Sequence, residues 1–186
     1  MNKQQLRLIY KLISFTLVFF LACGFQTSFW PNVIKFLPSP QLWLIIIIFI
    51  SIRWKSMNNI FFIYFLLYTL TFFSEIPLKM LWTTLALVYF IIATVKNRIQ
   101  LSGVFAFIMF SFAGSSLFEI GYYIFSDILE PVPTTAMILD RLLQILVNFI
   151  ISYPAYFFLD FLDKALQTKE DWRAPHPSQH DNPEFL

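Results

Sequence analysis

The sequence predicts an all-α integral membrane protein, a bundle of six transmembrane helices with both chain ends in the cytoplasm. Composition is the first reason. Of 186 residues 58% are hydrophobic and 13% charged, about half the charged share that a soluble domain uses to solvate its surface. The second is that the apolar residues, 24 Phe among them, fall into six runs divided by short polar loops. The third is the distribution of Lys and Arg among those loops, which marks the cytoplasmic side of a membrane protein. In a six-span arrangement Lys3, Arg7, Lys11, Arg53, Lys55, Lys96, Arg98, Lys164, Lys169 and Arg173 fall on one side, and Lys35, Lys79 and Arg141 on the other.

The spans are expected at about 12–30, 38–54, 59–74, 78–95, 101–125 and 137–161. About 20 apolar residues are needed to cross the hydrocarbon, and Leu12 to Trp30 meets this. Gln26-Thr27-Ser28-Phe29-Trp30 offers no small-residue cleavage site, so this run reads as a retained span rather than a leader. The second run is short, with Leu42 to Ile52 as its apolar part, unless Pro38 to Gln41 and Arg53-Trp54 lie among the headgroups. The third, from Ile60 to Phe73, is short as well. If both were re-entrant the count would fall to four and the ends would still share a side. Trp30, Trp43, Trp54 and Trp82 stand at predicted span ends, where the interface favours Trp. Residues 164–186 turn polar and include Pro175, Pro177 and Pro183, the composition of a disordered cytoplasmic tail. His176 and His180 lie among those prolines, which speaks against a helical metal site and for solvated side chains.

Polar residues inside the spans are the most informative feature left, because hydrocarbon makes them costly. Ser111, Ser115 and Glu119 recur at four-residue steps in span five, next to the small-residue patch Ala113-Gly114-Ser115-Ser116. Asp140, Gln144, Asn148 and Ser152 recur at the same step in span six. Each series is expected to face inward, with Arg141 or Lys79 reaching Glu119, and Ser111, Ser115 and Glu119 packing against Gln144 and Asn148. Two roles fit such a seam: a bundle interior sealed by interhelical hydrogen bonds, or a groove for a ligand or partner. Pro154 is expected to kink span six, leaving the amphipathic end around Asp160 and Asp163 to lie along the membrane surface.

Other chemistry has no sequence support. There is no HExxH, phosphate loop or CxxC, and no His within the spans, so no catalytic, metal or cofactor residues are expected and the chain reads as no enzyme. The single Cys23 reads as a small apolar residue. A net charge of +2 leaves nucleic acid without electrostatic attraction.

Span one closes with Gly24-Phe25-Gln26-Thr27-Ser28-Phe29-Trp30-Pro31, a short outer loop ends in Leu37-Pro38-Ser39-Pro40, and span two opens with Gln41-Leu42-Trp43-Leu44. In these features the chain resembles the bacterial rod shape-determining MreD family, whose members similarly end span one with a Gln and place a Pro just ahead of span two. Asn148 to Tyr156, through Pro154, looks like the family's Asn-to-Pro segment in the last span. Phe72-Phe73-Ser74-Glu75-Ile76-Pro77 departs from it, since the family carries a Gly-rich stretch with an Asp near span three. The resemblance implies a divergent, non-catalytic component of the cell-elongation machinery in the bacterial inner membrane, supporting lateral peptidoglycan synthesis. Its implied partners are membrane lipids, MreC, the MreB filament and the peptidoglycan synthases. The implied fold is similar to the substrate-binding subunits of energy-coupling-factor vitamin transporters, which makes vitamin binding the alternative function. Ala22 is followed by Gln26, so the Ala-x-x-x-Ala coupling motif of those subunits is missing.

Overall fold

The computed structural model describes residues 3–54, 56–74, 76–98, 103–129 and 138–166. They form helices joined by short connections, with no strand among them. The predicted tail beyond residue 166, including His176 and His180, lies outside the described residues. Helix α1 (Lys3–Gly24) runs straight into a π-helical turn (Phe25–Phe29) and a last α-turn (Trp30–Val33). Pro31 stands in that last α-turn, where its ring crowds the carbonyl four residues back. A widened turn ahead of it, with the Trp30 amide reaching back to the Phe25 carbonyl, relieves that crowding. Then follow α2 (Leu42–Arg53), α3 (Ser56–Leu70), α4 (Leu78–Arg98), α5 (Val104–Leu129) and α6 (Ile138–Leu166).

Four stretches are long and apolar enough to cross a membrane: Gln5–Val33, Leu78–Lys96, Val104–Leu129 and Ile138–Leu166. Helices α2 and α3 are shorter apolar helices. At 1.5 Å per residue, the 12 residues of α2 rise about 18 Å, against a hydrocarbon core of about 30 Å. Length alone therefore supports four spans plus two shorter helices.

The packing explains why α2 is short. It touches all five other helices, and those five touch in sequence around it: α1 on α3, α3 on α4, α4 on α5, α5 on α6, and α6 on α1. Every residue from Trp43 to Ser51 is buried. A helix that is apolar all round is the kind that sits inside other helices, and α2 has no solvent or lipid face to decorate. The ring helices turn apolar side chains outward instead, as at Leu21, Phe61, Phe90, Phe105 and Phe161. Apolar surface on this scale is the outer face of a multi-pass membrane protein.

Two expectations fail in this geometry. Trp43 is 4% exposed and packs edge-on against Phe118, with ring centroids 5.1 Å apart. It is a core residue, because the start of α2 lies inside the ring and not at the interface belt. The end of α6 does not peel onto the surface either. The helix continues through Pro154, whose side is exposed, and its last turns bury Asp160 and Asp163 in ion pairs with α1 and α2.

The small-residue patch works through one residue. A Cβ on Gly114 would lie 2.7 Å from Ile48 Cδ1 and 3.6 Å from Ile92 Cδ1, so Gly114 lets α5 close on the central helix and on α4. Gly121 does the same more loosely, 3.2 Å from Thr84 Cγ2. Gly114→Leu should overpack this contact and destabilise the fold by about 1–3 kcal/mol or more. Ser116→Ala, whose hydroxyl bonds only to Phe112 of its own helix, should be nearly neutral. Thermal unfolding in detergent measures both, and equal midpoints would contradict the close contact.

Candidate functional site

Because α2 begins inside the ring, its first backbone N–H groups point at protein rather than water. A helix leaves its first four N–H groups without internal partners. The residue ahead of α2, Gln41, has no side-chain cap of its own. Neighbouring helices supply the caps. Asn148 Oδ1 of α6 accepts from the Gln41 amide at 2.7 Å, and Gln26 Oε1, from the π-helical turn, accepts from the Leu42 amide at 3.1 Å.

The cluster grows from Gln41. Its Nε2 donates to Glu119 Oε1 at 2.6 Å, and its Oε1 accepts from Asn148 Nδ2 at 3.1 Å. Asn148 Nδ2 also donates to Ser115 Oγ at 3.2 Å. Arg141 donates to the second oxygen of Glu119 at 2.8 Å, so both carboxylate oxygens are taken. The guanidinium also lies 5.6 Å from the centre of the Tyr122 ring. Gln144 Nε2 donates to the Ser39 carbonyl at 3.2 Å, holding the chain that leads into α2. Ser115, Asn148, Gln41 and Glu119 are all buried. A carboxylate near the start of α2 also meets the positive end of that helix's dipole.

Beside this cluster opens a cavity of about 420 Å³, whose polar lining includes Gln26, Ser39, Gln41, Arg141 and Gln144. The arrangement can seal helices together or hold a small polar ligand by hydrogen bonds. Among the described residues, no three His, Cys, Asp or Glu side chains come close enough to hold a metal ion.

Several expected residues meet here. Ser115 reaches Asn148, and Glu119 pairs with Arg141, while Lys79 instead donates to the Leu129 carbonyl at 3.0 Å. Others do not join. Gln144 bonds to the Ser39 carbonyl in the lead-in to α2 and not to α5. Ser111 is fully buried, but its hydroxyl has no partner among the described residues. Asp140 is exposed, since it precedes Arg141 and so points off the inward face. Pro154 is likewise exposed and away from the cluster. The residues that pattern missed are Gln41 and Gln26, which belong to no periodic series.

The far end of α2 is treated the same way. Asn59 of α3 donates to the Ile50 carbonyl at 3.3 Å, and Lys96 of α4 to the Ser51 carbonyl at 3.2 Å. Arg53 pairs with Asp160 of α6 and donates to Tyr156 at 3.1 Å. Lys11 of α1 pairs with Asp163 at 2.6 Å and lies 4.5 Å from the centre of the Trp54 ring. No family model, curated protein or solved structure matches this chain.

Asn148 serves three bonds at once, so its replacement separates the cluster from ordinary packing. Ser115→Ala should cost about 0.6 kcal/mol, the average for an interhelical hydrogen bond in a membrane. Asn148→Leu strands the Gln41 amide, the Gln41 carbonyl oxygen and Ser115, each unpaired group costing about 1–3 kcal/mol. Unfolding midpoints in detergent should therefore fall much further for Asn148→Leu, and a mild effect there would refute its capping role.

Proposed function

We propose that this chain is a non-catalytic membrane scaffold or regulator of the bacterial cell-elongation complex, a divergent member of the MreD family in the inner membrane. One observation carries the reading beyond the resemblance itself. Gln26, Gln41-Leu42 and Asn148, which lie in the three segments that resemble the family, meet at the start of α2, where Asn148 accepts from the Gln41 amide and Gln26 from the Leu42 amide. Segments distant in sequence thus serve one structural purpose, as expected where they define a fold. The cluster contains no acid–base pair poised on open space: the only carboxylate in it has both oxygens engaged.

In this proposal the chain crosses the membrane six times, with both ends in the cytoplasm. Lys11, Arg53, Lys96 and Lys164 gather at one end of the bundle, where they meet Asp160, Asp163 and the last carbonyls of α2. That basic end is the cytoplasmic one by the positive-inside rule, and the end bearing Arg141 faces the periplasm and MreC. MreB and the peptidoglycan synthases are the further partners.

A second reading, a vitamin-binding subunit of a membrane transporter, is favoured by the polar-lined cavity of about 420 Å³, which is within the size range of small-molecule sites. Thermal-shift screening of the purified protein against vitamins separates the two, and a large stabilisation by one vitamin would reverse the ranking.

Depletion in the source bacterium should round the cells and disperse lateral wall synthesis; rod shape maintained after full depletion would end the leading proposal. Topology reporters fused after Lys55, Arg98 and Lys169 should read cytoplasmic, and those near Lys35, Ile76 and Glu130 periplasmic. A periplasmic signal from the Lys169 fusion would overturn the even span count.

A further inference from the structure

We propose that the cleft between α5 and α6 binds one membrane phospholipid, with its phosphate on Arg141 and one acyl chain along Leu142, Ile145 and Ile120. The cleft is a groove of about 400 Å³, and apart from Arg141 and Glu119 its walls are apolar or aromatic. Its apolar side chains are presented outward: Ile120, Tyr123, Ile138 and Leu142 are 58%, 53%, 75% and 58% exposed. Arg141 and Tyr122 line both this groove and the polar cavity on its other side. A cation therefore stands in the wall between an apolar trough and a polar chamber.

Among the described residues that cation is only partly engaged. Glu119 takes one terminal nitrogen of Arg141 and is itself buried, its side chain 4% exposed against 36% for Arg141. A guanidinium carries five N–H donors, and the rest of those on Arg141 have no partner among the described residues. Glu119 cannot serve them, because its other oxygen is held by Gln41. The pair is thus oriented, with its negative member turned into the bundle and Arg141 standing in the wall of the groove. A phosphate oxygen suits a guanidinium edge better than a neutral carbonyl does, since charge-assisted bonds to phosphate are the stronger ones.

Depth agrees with the chemistry. Arg141 is in the first turn of α6, within about 5 Å of its end along the axis. Where α6 crosses the bilayer, that end stands at a headgroup layer. Leu142 and Ile145 lie further down α6, and Ile120 further down α5 than Tyr123. A phospholipid with its phosphate at Arg141 has its chain descending past these residues, in the direction it already runs in the membrane. Nothing in this depends on which end of the bundle faces out, or on a role in cell elongation.

The full chain, purified in mild detergent, is tested with phosphatidylglycerol, with the diacylglycerol of the same chains, and with soluble glycerol phosphate as competitor. Retained lipid is read by native mass spectrometry and affinity by titration of a tail-labelled lipid. Phosphatidylglycerol should bind saturably at one copy per chain, about tenfold or more tighter than diacylglycerol, the worth of one charge-assisted bond. Arg141→Gln should remove that preference. Ile145→Trp should weaken binding of both lipids by filling the groove while leaving Arg141 and Glu119 paired, and it keeps the test decisive if Arg141→Gln fails to fold. Equal affinity for the two lipids, unchanged binding in Ile145→Trp, or displacement of the lipid by equimolar glycerol phosphate would each overturn the proposal.

Discussion

A helix buried on every side must have both of its ends satisfied by protein, and the rest of this bundle is arranged around that requirement for α2. Each end of a helix leaves four backbone groups unpaired, and in an apolar medium no water offers to pair them. Here all five surrounding helices send a polar side chain to one end or the other. Gln26 of the π-helical turn that continues α1 and Asn148 of α6 accept from the first amides. Glu119 of α5 holds the Gln41 side chain that adjoins them. Asn59 of α3 and Lys96 of α4 donate to the last carbonyls. Arg53, in the last turn of α2, adds the positive charge that the negative end of its dipole favours.

These bonds also fix the register of the ring. Asn148 meets the start of α2 and Asp160 meets its end, so α6 runs parallel to α2 and rises beside it residue for residue. Gln26 meets the start of α2, while Lys11 meets Asp163 beyond its end. Gln26 and Lys11 are separated by as many residues as Asn148 and Asp163, so α1 runs antiparallel to α6 at matching height. Ser115 with Asn148, and Glu119 with Arg141, place α5 antiparallel to α6 as well. Three helices are pinned along their lengths by contacts whose geometry tolerates little sliding.

Most of this is legible in the sequence only where a polar residue recurs at helical spacing. Ser115, Glu119 and Asn148 stand out as polar positions in otherwise apolar helices, and their inward placement follows from the cost of leaving them in lipid. Arg141 follows from needing a partner for Glu119. Gln41 and Gln26 escape that logic: one precedes its helix, the other sits where the helix widens ahead of Pro31, and neither belongs to a periodic series. Both stand within the segments that resemble the MreD family, though nothing in their spacing announces that they cap a helix. Trp43 misleads because its position at a run's end normally means an interface, and only the depth at which α2 starts makes it core. Asp160 and Asp163 mislead similarly: two acids near the end of an amphipathic stretch look like solvated charges until Arg53 and Lys11 are seen to reach them.

The Glu119–Arg141 pair is the costliest element of the cluster and shows what the polar contacts are for. Removing two charges from water costs several kcal/mol per ion, and a buried pair often recovers no more than it loses, so a well-packed apolar pair would serve stability as well. Within a membrane, moreover, apolar contact between helices gains little over contact with lipid. Five ring helices with apolar inner faces could slide or rotate around α2 with small changes in packing energy. They cannot do so without breaking specific bonds: a one-residue slip of α6 would carry Asn148 away from the Gln41 amide and Arg141 away from Glu119 together, leaving several groups unpaired where no water replaces them. The net stabilisation from each bond is small while the penalty for misplacing it is large. That asymmetry lets a few polar residues select one arrangement among many that apolar packing alone would accept.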